Sequence, residues 1–357
     1  MSPFHAVTAE SNTAIYGHVG TLCDDLTDRG HEVSLFASGD SITKAKLNSV
    51  HPVAFNSQPN MTEREKNLYL NLLISKCCER AKEFDIIHSH FTLLSSFPSN
   101  LIDTPMAISV HSPIDEELKP FIKEYRKLHY ISFSLSQRKQ MPELNWFANI
   151  YHGVDTNKFA FNPTPEDYFF YLGRLTEEKG VHLAIEAAKA AGVKLVIAGR
   201  SYPTEGYWHS HIEKNIDGAN IIYIGEQSAE EKIKWLQDAK ALLFPTQYQE
   251  QFGYVMIEAM SCGTPVIGWN NGAVPEVIQD GRTGYVVNSV EEMIGAIQNI
   301  DKISREETRK RAEIYFSVKK MVAGYQKVYQ HIIDESNFKK NKIKTNGETP
   351  QVLSLPS

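Results

Sequence analysis

Short apolar runs alternate with longer stretches of helical period along most of the chain. The runs at 31–37, 85–88, 106–111, 168–172, 193–198, 220–224, 241–244 and 264–267 predict strands. Several are apolar throughout instead of alternating, the pattern of parallel strands covered on both faces. The stretches at 63–84, 182–191, 230–239, 254–262 and 290–300 predict helices. Alternation of this kind implies right-handed strand–helix–strand units and doubly wound α/β sheets. The rhythm breaks at 152–167, where HGVDTNKFAFNPTPED holds two prolines, one glycine and no helical period. That segment reads as a linker between an N-terminal domain over 1–153 and a C-terminal domain over 154–317. An amphipathic stretch at 318–333 predicts a last helix, and the polar residues 337–357 predict a disordered tail. A doubly wound domain normally opens with a buried strand that feeds a glycine-containing loop. Here the loop-like SPFHAVTAESNTA begins at residue 2, so the first strand is missing from the pattern. A truncated or misassigned start and a naturally shortened domain both fit that reading.

Composition narrows the class. At 357 residues, 42% hydrophobic and 22% charged, the chain has enough apolar residues for two cores and is not a disordered polymer. No apolar run reaches the roughly 18 residues of a membrane span. The first residues lack the basic and apolar regions of a secretory signal. Four cysteines with no CxxC pair predict a reducing, cytoplasmic setting. A net charge of -6 argues against general nucleic-acid binding.

The densest chemical signal runs from Glu250 through Gln251, Phe252, Gly253 and Tyr254 to Glu258, and on to Gly263. A strand ends in the polar loop TQYQE, the chain turns at Gly253, and a helix begins. Backbone N–H groups at a helix start attract phosphate. A carboxylate can accept two hydrogen bonds from a vicinal diol. Two acids beside an anion site therefore suit hydroxyls attached to a diphosphate. Taken singly, Glu250 reads first as a solvated loop residue and Glu258 as an ordinary helix surface charge. The second signal is Gly173-Arg174, with Lys179 and Gly180 following on the same loop. Cations at the carboxyl end of a parallel strand sit where such sheets bind ligands, and both types suit a pyrophosphate. A plain solvated loop remains the alternative for this segment alone.

Together, in this order and spacing, these segments resemble the retaining family 4 glycosyltransferases of GT-B fold. The resemblance extends over most of the chain, through Arg29-Gly30-His31, Asp85 to His90, His111, His152-Gly153, Ala198-Gly199, Gly272 to Glu276 and Asp280 to Gly284. It implies two Rossmann-like domains facing across a cleft, with the helix from 318 to about 335 crossing back to the N-terminal domain. It also implies a metal-independent enzyme with no cofactor, whose donor is a nucleotide-diphosphate sugar. Arg174 and Lys179 match the residues that hold the donor diphosphate, and Glu258 the carboxylate on the ribose. Glu250 matches the acid facing the transferred sugar. The Phe252, Gly253 and Tyr254 backbone would contact sugar and phosphate, and His111 would reach the sugar from the other domain. Ser136 and Arg138 fall near a cleft-lining position. Two departures stand out. The usual Glu-Pro-Phe-Gly reads Glu250-Gln251-Phe252-Gly253, and the N-terminal glycine pair is replaced by Asn12-Thr13-Ala14-Ile15.

Other features carry less. His88 and His90 invite a metal reading, but no acidic or cysteine cluster accompanies them, so they are expected to pack or line the cleft. The basic run 119–139, with Phe121, Tyr125 and Tyr130, reads as a solvated helix, or as a dock for an anionic acceptor or the inner membrane face. Cys262 reads as packing. The acceptor, whether saccharide, lipid or small molecule, is not encoded legibly. Two other functions remain compatible with the pattern: a sugar-nucleotide epimerase of the same architecture, and a catalytically silent nucleotide-sugar-binding homologue.

Overall fold

The computed structural model describes residues 3–11, 13–90, 93–202 and 206–345. The N-terminal part contains α1 (Ala14–Asp28), β1 (Ser34–Phe36), β2 (Lys46–Asn48), α2 (Glu63–Glu79), β3 (Ile87–Ser89), β4 (Met106–Ser109), α3 (Lys119–Glu124), β5 (His129–Ser132) and β6 (Trp146–Asn149). All its strand pairs are parallel, but they form two separate sheets, β1-β2 and β3-β4-β5-β6. In the common doubly wound order the first strand lies between the second and the fourth. Among the described residues no strand precedes α1, and no strand joins the two sheets.

Instead, the opening loop folds back on α1. A Cβ at Gly20 would come within 2.5 Å of Thr8 and Ala9 backbone atoms, so only glycine admits this approach. Asn12, named above as replacing part of a glycine pair, lies outside the described residues, while Ala14 and Ile15 already belong to α1.

The C-terminal part continues with β7 (Phe169–Leu172), α4 (Val181–Ala191), β8 (Leu195–Ala198), β9 (Ile221–Tyr223), α5 (Ala229–Asp238), β10 (Ala241–Phe244), α6 (Tyr254–Ser261), β11 (Val266–Trp269), α7 (Val274–Val277), β12 (Gly284–Val287), α8 (Val290–Gln298) and α9 (Arg305–Tyr315). Its strands make one six-stranded sheet in the order β12-β11-β10-β7-β8-β9, parallel throughout. The order reverses between β7 and β10. Ligands of open α/β sheets bind outside the carboxyl ends of strands at such a point. The loops after Leu172 and Phe244, which hold the two motifs, leave the sheet there.

The sheet is apolar on both faces. One side packs Phe170, Leu242 and Val266 against α6, and the other packs Phe169, Leu195 and Leu243 against α4 and α8. Buried Arg305 clamps the start of α9, donating to the carbonyls of Asn162, Gln237 and Ala239 and to the Thr264 hydroxyl at 2.6–2.9 Å. Finally α10 (Val318–Thr345) returns to the first domain, where Met321, Val322, Tyr325 and Ile332 complete a core with Leu22, Leu26, Ala107 and Ile131.

Several expectations are corrected. The stretch 119–139 is not one helix: α3 stops at Glu124, and β5 carries Tyr130 into the core at 0% exposure. The apolar His129–Ser132 run outweighs its basic flanks, which removes the continuous basic face on which membrane docking rested. The predicted tail is helical as far as Thr345, because lysine-rich residues continue α10 with good propensity. Residues 346–357 lie outside the described residues. Four strands (β2, β5, β6 and β12) and the helices α1, α7 and α9 were not legible. No helix among the described residues is long and apolar enough to cross a membrane.

Candidate active site

The two switch-point loops are tied to each other by their backbones. Tyr171, at the end of β7, donates its hydroxyl to the carbonyls of Arg174 and Lys179 at 3.2 and 3.3 Å. The Glu178 carbonyl accepts the amides of Gln247 and Tyr248 from the second loop at 2.8 and 3.1 Å. Behind Glu250, the Ala273 amide donates to its carbonyl at 3.0 Å. Gly253 then turns the chain at φ +88 into α6, where a Cβ would lie 2.7 Å from the Met256 methyl. The three buried side-chain polar atoms without a hydrogen bond among the described residues are Thr176 Oγ1, Thr246 Oγ1 and Gln251 Oε1. All three lie on these two loops.

A cleft cavity of about 420 Å3 opens between the domains. That is within the range of small-molecule sites, which runs from about 300 to 1,000 Å3. From the second domain, Gly173, Lys179, Glu250, Gly253, Tyr254 and Glu258 line it. Lys179 Nζ donates to Glu250 Oε2 at 2.6 Å, with both side chains 17% exposed, and sits 4.9 Å from the Tyr248 ring centre. Eight residues on, Glu258 accepts at 2.8 Å from Lys232 of α5, a lysine the sequence motifs did not single out.

Arg174, the Phe252 side chain and His111 are not among the residues that line the cavity. Arg174 is 56% exposed and pairs with Glu178 at 2.9 Å. The Phe252 ring, 2% exposed, packs with Tyr151, His152 and Phe316 in the core behind the turn, because an apolar ring gains more there than in a polar cleft.

On the opposite wall, histidines cluster. His18 lines the cavity, its Nδ1 3.1 Å from the Tyr254 hydroxyl and 3.0 Å from His152 Nδ1, and its Nε2 3.2 Å from the Tyr325 hydroxyl. His111 stands behind it, its Nε2 2.9 Å from His90 Nδ1. His88 lies between the Tyr329 and Ser109 hydroxyls at 2.6 and 2.8 Å. Burial pushes His18 and His88 down to about 3, and holds His90, His111 and His152 well below the usual histidine range. The rings are therefore neutral at neutral pH. One nitrogen each of His18, His90 and His111 lie within 4.8 Å of one another, a spacing that could close on a metal. His88 and His90 thus pack and bond within the cleft wall, while His152 was legible only as part of the His152-Gly153 motif and His18 carries no sequence signal of its own.

Ser136 and Arg138 lie at the domain junction. The amides of Leu135 and Ser136 and the Tyr151 hydroxyl all donate to the Glu276 carboxylate, at 2.8, 2.7 and 3.1 Å. Arg138 turns inward to the Ser132 hydroxyl at 2.8 Å. Glu276 was legible only as part of a motif, since its partners come from 125 to 141 residues away. Cys262 is buried, and burial pushes its thiol up to about 12, as expected of a packing residue.

The comparisons with known proteins bear on family and fold. Residues 154–319 match the family model described as glycosyl transferases group 1, and residues 17–157 match glycosyltransferase family 4. The chain belongs to these glycosyltransferases. Among its relatives is the N-acetyl-alpha-D-glucosaminyl L-malate synthase of Bacillus anthracis, 26% identical over 90% of this chain and 96% of that protein. An uncharacterized glycosyltransferase of Methanocaldococcus jannaschii is also 26% identical, over 73% of this chain and 79% of the relative. The crystal structure of AviGT4, a glycosyltransferase involved in avilamycin A biosynthesis, superposes with a TM-score of 0.68 at 22% identity, covering 92% of this chain and 93% of AviGT4. The glycosyltransferase therefore has the GT-B fold, with two Rossmann-like α/β domains.

Proposed function

We propose that this transferase moves a sugar from a nucleotide-diphosphate sugar to an acceptor hydroxyl, with retention at the anomeric carbon. The observation that carries the reading is the convergence of Lys179, Glu250 and Glu258 on one cavity at the switch point of the second sheet. HepE of Anabaena, solved with UDP and glucose, shares the fold with a TM-score of 0.68 at 18% identity. That neighbour supports a nucleotide-sugar donor.

In this reading the carbon–oxygen bond between anomeric carbon and diphosphate breaks through an oxocarbenium-like state. Negative charge grows on the departing phosphate. Lys179 and the amides at the start of α6 stabilise it in a partly desolvated cleft, and Arg174 reaches it from the rim. Glu258 accepts the ribose hydroxyls and Glu250 those of the transferred sugar. The acceptor oxygen attacks the face the phosphate leaves, and its proton passes to that phosphate. The sequence motifs mark no obvious nucleophile, which suits front-face attack. Closure of the first domain brings the His18 and His111 wall onto the sugar and excludes water. The setting is reducing and cytoplasmic.

The test is a thermal-shift screen of ADP, GDP and UDP and their sugars, followed by NMR of the product's anomeric configuration. The reading expects stabilisation by one nucleotide class and a retained configuration. Inversion removes the front-face mechanism, and donor epimerised without acceptor points to an epimerase instead.

A further inference from the structure

The charges that line the cavity nearly cancel before any donor arrives. Three lysines face four carboxylates, and each lysine is paired: Lys158 with Glu10, Lys179 with Glu250 and Lys232 with Glu258. A nucleoside diphosphate brings two or more negative charges into this space, and one freed lysine does not offset them. Arg174, at the rim and more than half exposed, is a screened contributor.

Lys232 differs from the lysines the sequence motifs mark. It sits on the first turn of α5, whose start is fixed by the reciprocal Ser228–Glu231 capping box. Ala229, Lys232 and Ile233, spaced as one helix face, all line the cavity. Its side chain is 25% exposed and that of Glu258 15%, so both charges are partly withdrawn from bulk water.

We infer that Lys232 is a further diphosphate-binding cation of the donor site, held in reserve by Glu258 until the nucleotide arrives. The inference rests on the donor reading above. When ribose hydroxyls take the Glu258 carboxylate, the ammonium loses its partner. Lysine's flexible stem lets it turn onto the nearest anion, the phosphate. No covalent bond changes in this exchange; one hydrogen bond to carboxylate is replaced by one to phosphate. The device makes donor capture selective for a ligand with both groups: a nucleoside alone strands the lysine, and a free diphosphate leaves the carboxylate without its diol.

The experiment is calorimetric titration of the full chain with UDP, GDP, ADP and the matching nucleosides. Variants are Lys232→Met, Lys232→Gln and Lys232→Arg. The glutamine amide can still donate to Glu258, so it preserves the carboxylate's placement while removing the charge. For the preferred diphosphate, both neutral variants should lose about 10- to 100-fold in affinity, the range for one charge-assisted hydrogen bond. Nucleoside affinity should hold or rise, since no lysine is left stranded in the neutral variants, and arginine should restore most of the diphosphate loss. Unchanged diphosphate binding in Lys232→Gln overturns the inference and leaves the donor reading intact. So does an equal loss for nucleoside and diphosphate, which marks Lys232 as a positioning residue for Glu258. A wild-type chain that binds none of the three diphosphates overturns the donor reading itself. If Lys232→Met does not fold, Lys232→Gln alone decides.

Discussion

The Tyr254 hydroxyl lies 3.1 Å from Nδ1 of His18, joining the first residue of α6 in the second domain to α1 in the first. His152, from the linker, stacks on the same phenol ring at 4.5 Å between centres. The start of the donor helix is thus bonded to the opposite wall of the cleft. Tyr254→Phe keeps the stacking and removes the bond. It should lower unfolding stability by about 1 kcal/mol, the usual net worth of one such bond. Urea unfolding monitored in both domains measures this, and an unchanged midpoint would show that the contact carries no energy.

The Lys179–Glu250 pair concerns catalysis more than stability. Lys179→Ala should reduce turnover by about 100- to 1,000-fold, as expected for loss of a preorganised group at developing charge. Glu250→Ala should lose most transfer activity too, since the sugar loses its acceptor group. The double variant should be less impaired than the product of the two single losses, because each single change strands a partly buried charge. Steady-state kinetics with circular dichroism as a folding control tests this, and wild-type turnover in either single variant would contradict the roles.

Acid should unfold this protein early. His18 and His88 fall to about 3 in the fold from an ordinary 6.5, and His90, His111 and His152 shift the same way. Below 6.5 the unfolded chain therefore binds protons that the native one refuses. The stabilisation is whole above that pH and is lost progressively as pH falls toward 3. Each histidine contributes up to about 1.4 kcal/mol per pH unit in that window. Denaturant titrations between neutrality and mild acid should show a steep fall, and His88→Gln should flatten the slope by about one proton. A flat profile would mean that the histidines are solvated.

Glu276 holds the first domain's 135–136 turn against the second. The Tyr151 phenol, raised to about 12 by burial and then by this carboxylate, stays protonated and donates. Glu276→Ala should speed amide exchange at Leu135 and Ser136 by roughly tenfold or more, given about 1.5–3 kcal/mol per charge-assisted bond. Exchange mass spectrometry reads it directly, and protection equal to wild type would show that the turn is held by other contacts.

What was legible in the sequence follows from how each part is encoded. The second domain's strands at 168–172, 193–198 and 241–244 are unbroken apolar runs, so burial on both faces wrote them plainly. β5 and β6 are four residues each, and β5 is flanked by lysine and arginine, so their partners decide them more than their composition does. Lys179, Glu250 and Glu258 were readable because their spacing is local to two loops. Lys232 and His18 were not, and Glu276 only as part of a motif, since each gains its role from a residue at least 26 positions away. Arg174 and Phe252 show the reverse: a motif marks the residue, while the cleft is lined by its neighbours Gly173 and Gly253.

The return of α10 has a consequence for biosynthesis. Leu22, Leu26, Ala107 and Ile131 leave the ribosome well before the side chains that cover them, Met321, Val322, Tyr325 and Ile332. The first half must wait, partly uncovered, while the second folds behind it. The nascent polypeptide thus carries an open apolar surface until residues 318–332 have emerged to seal it.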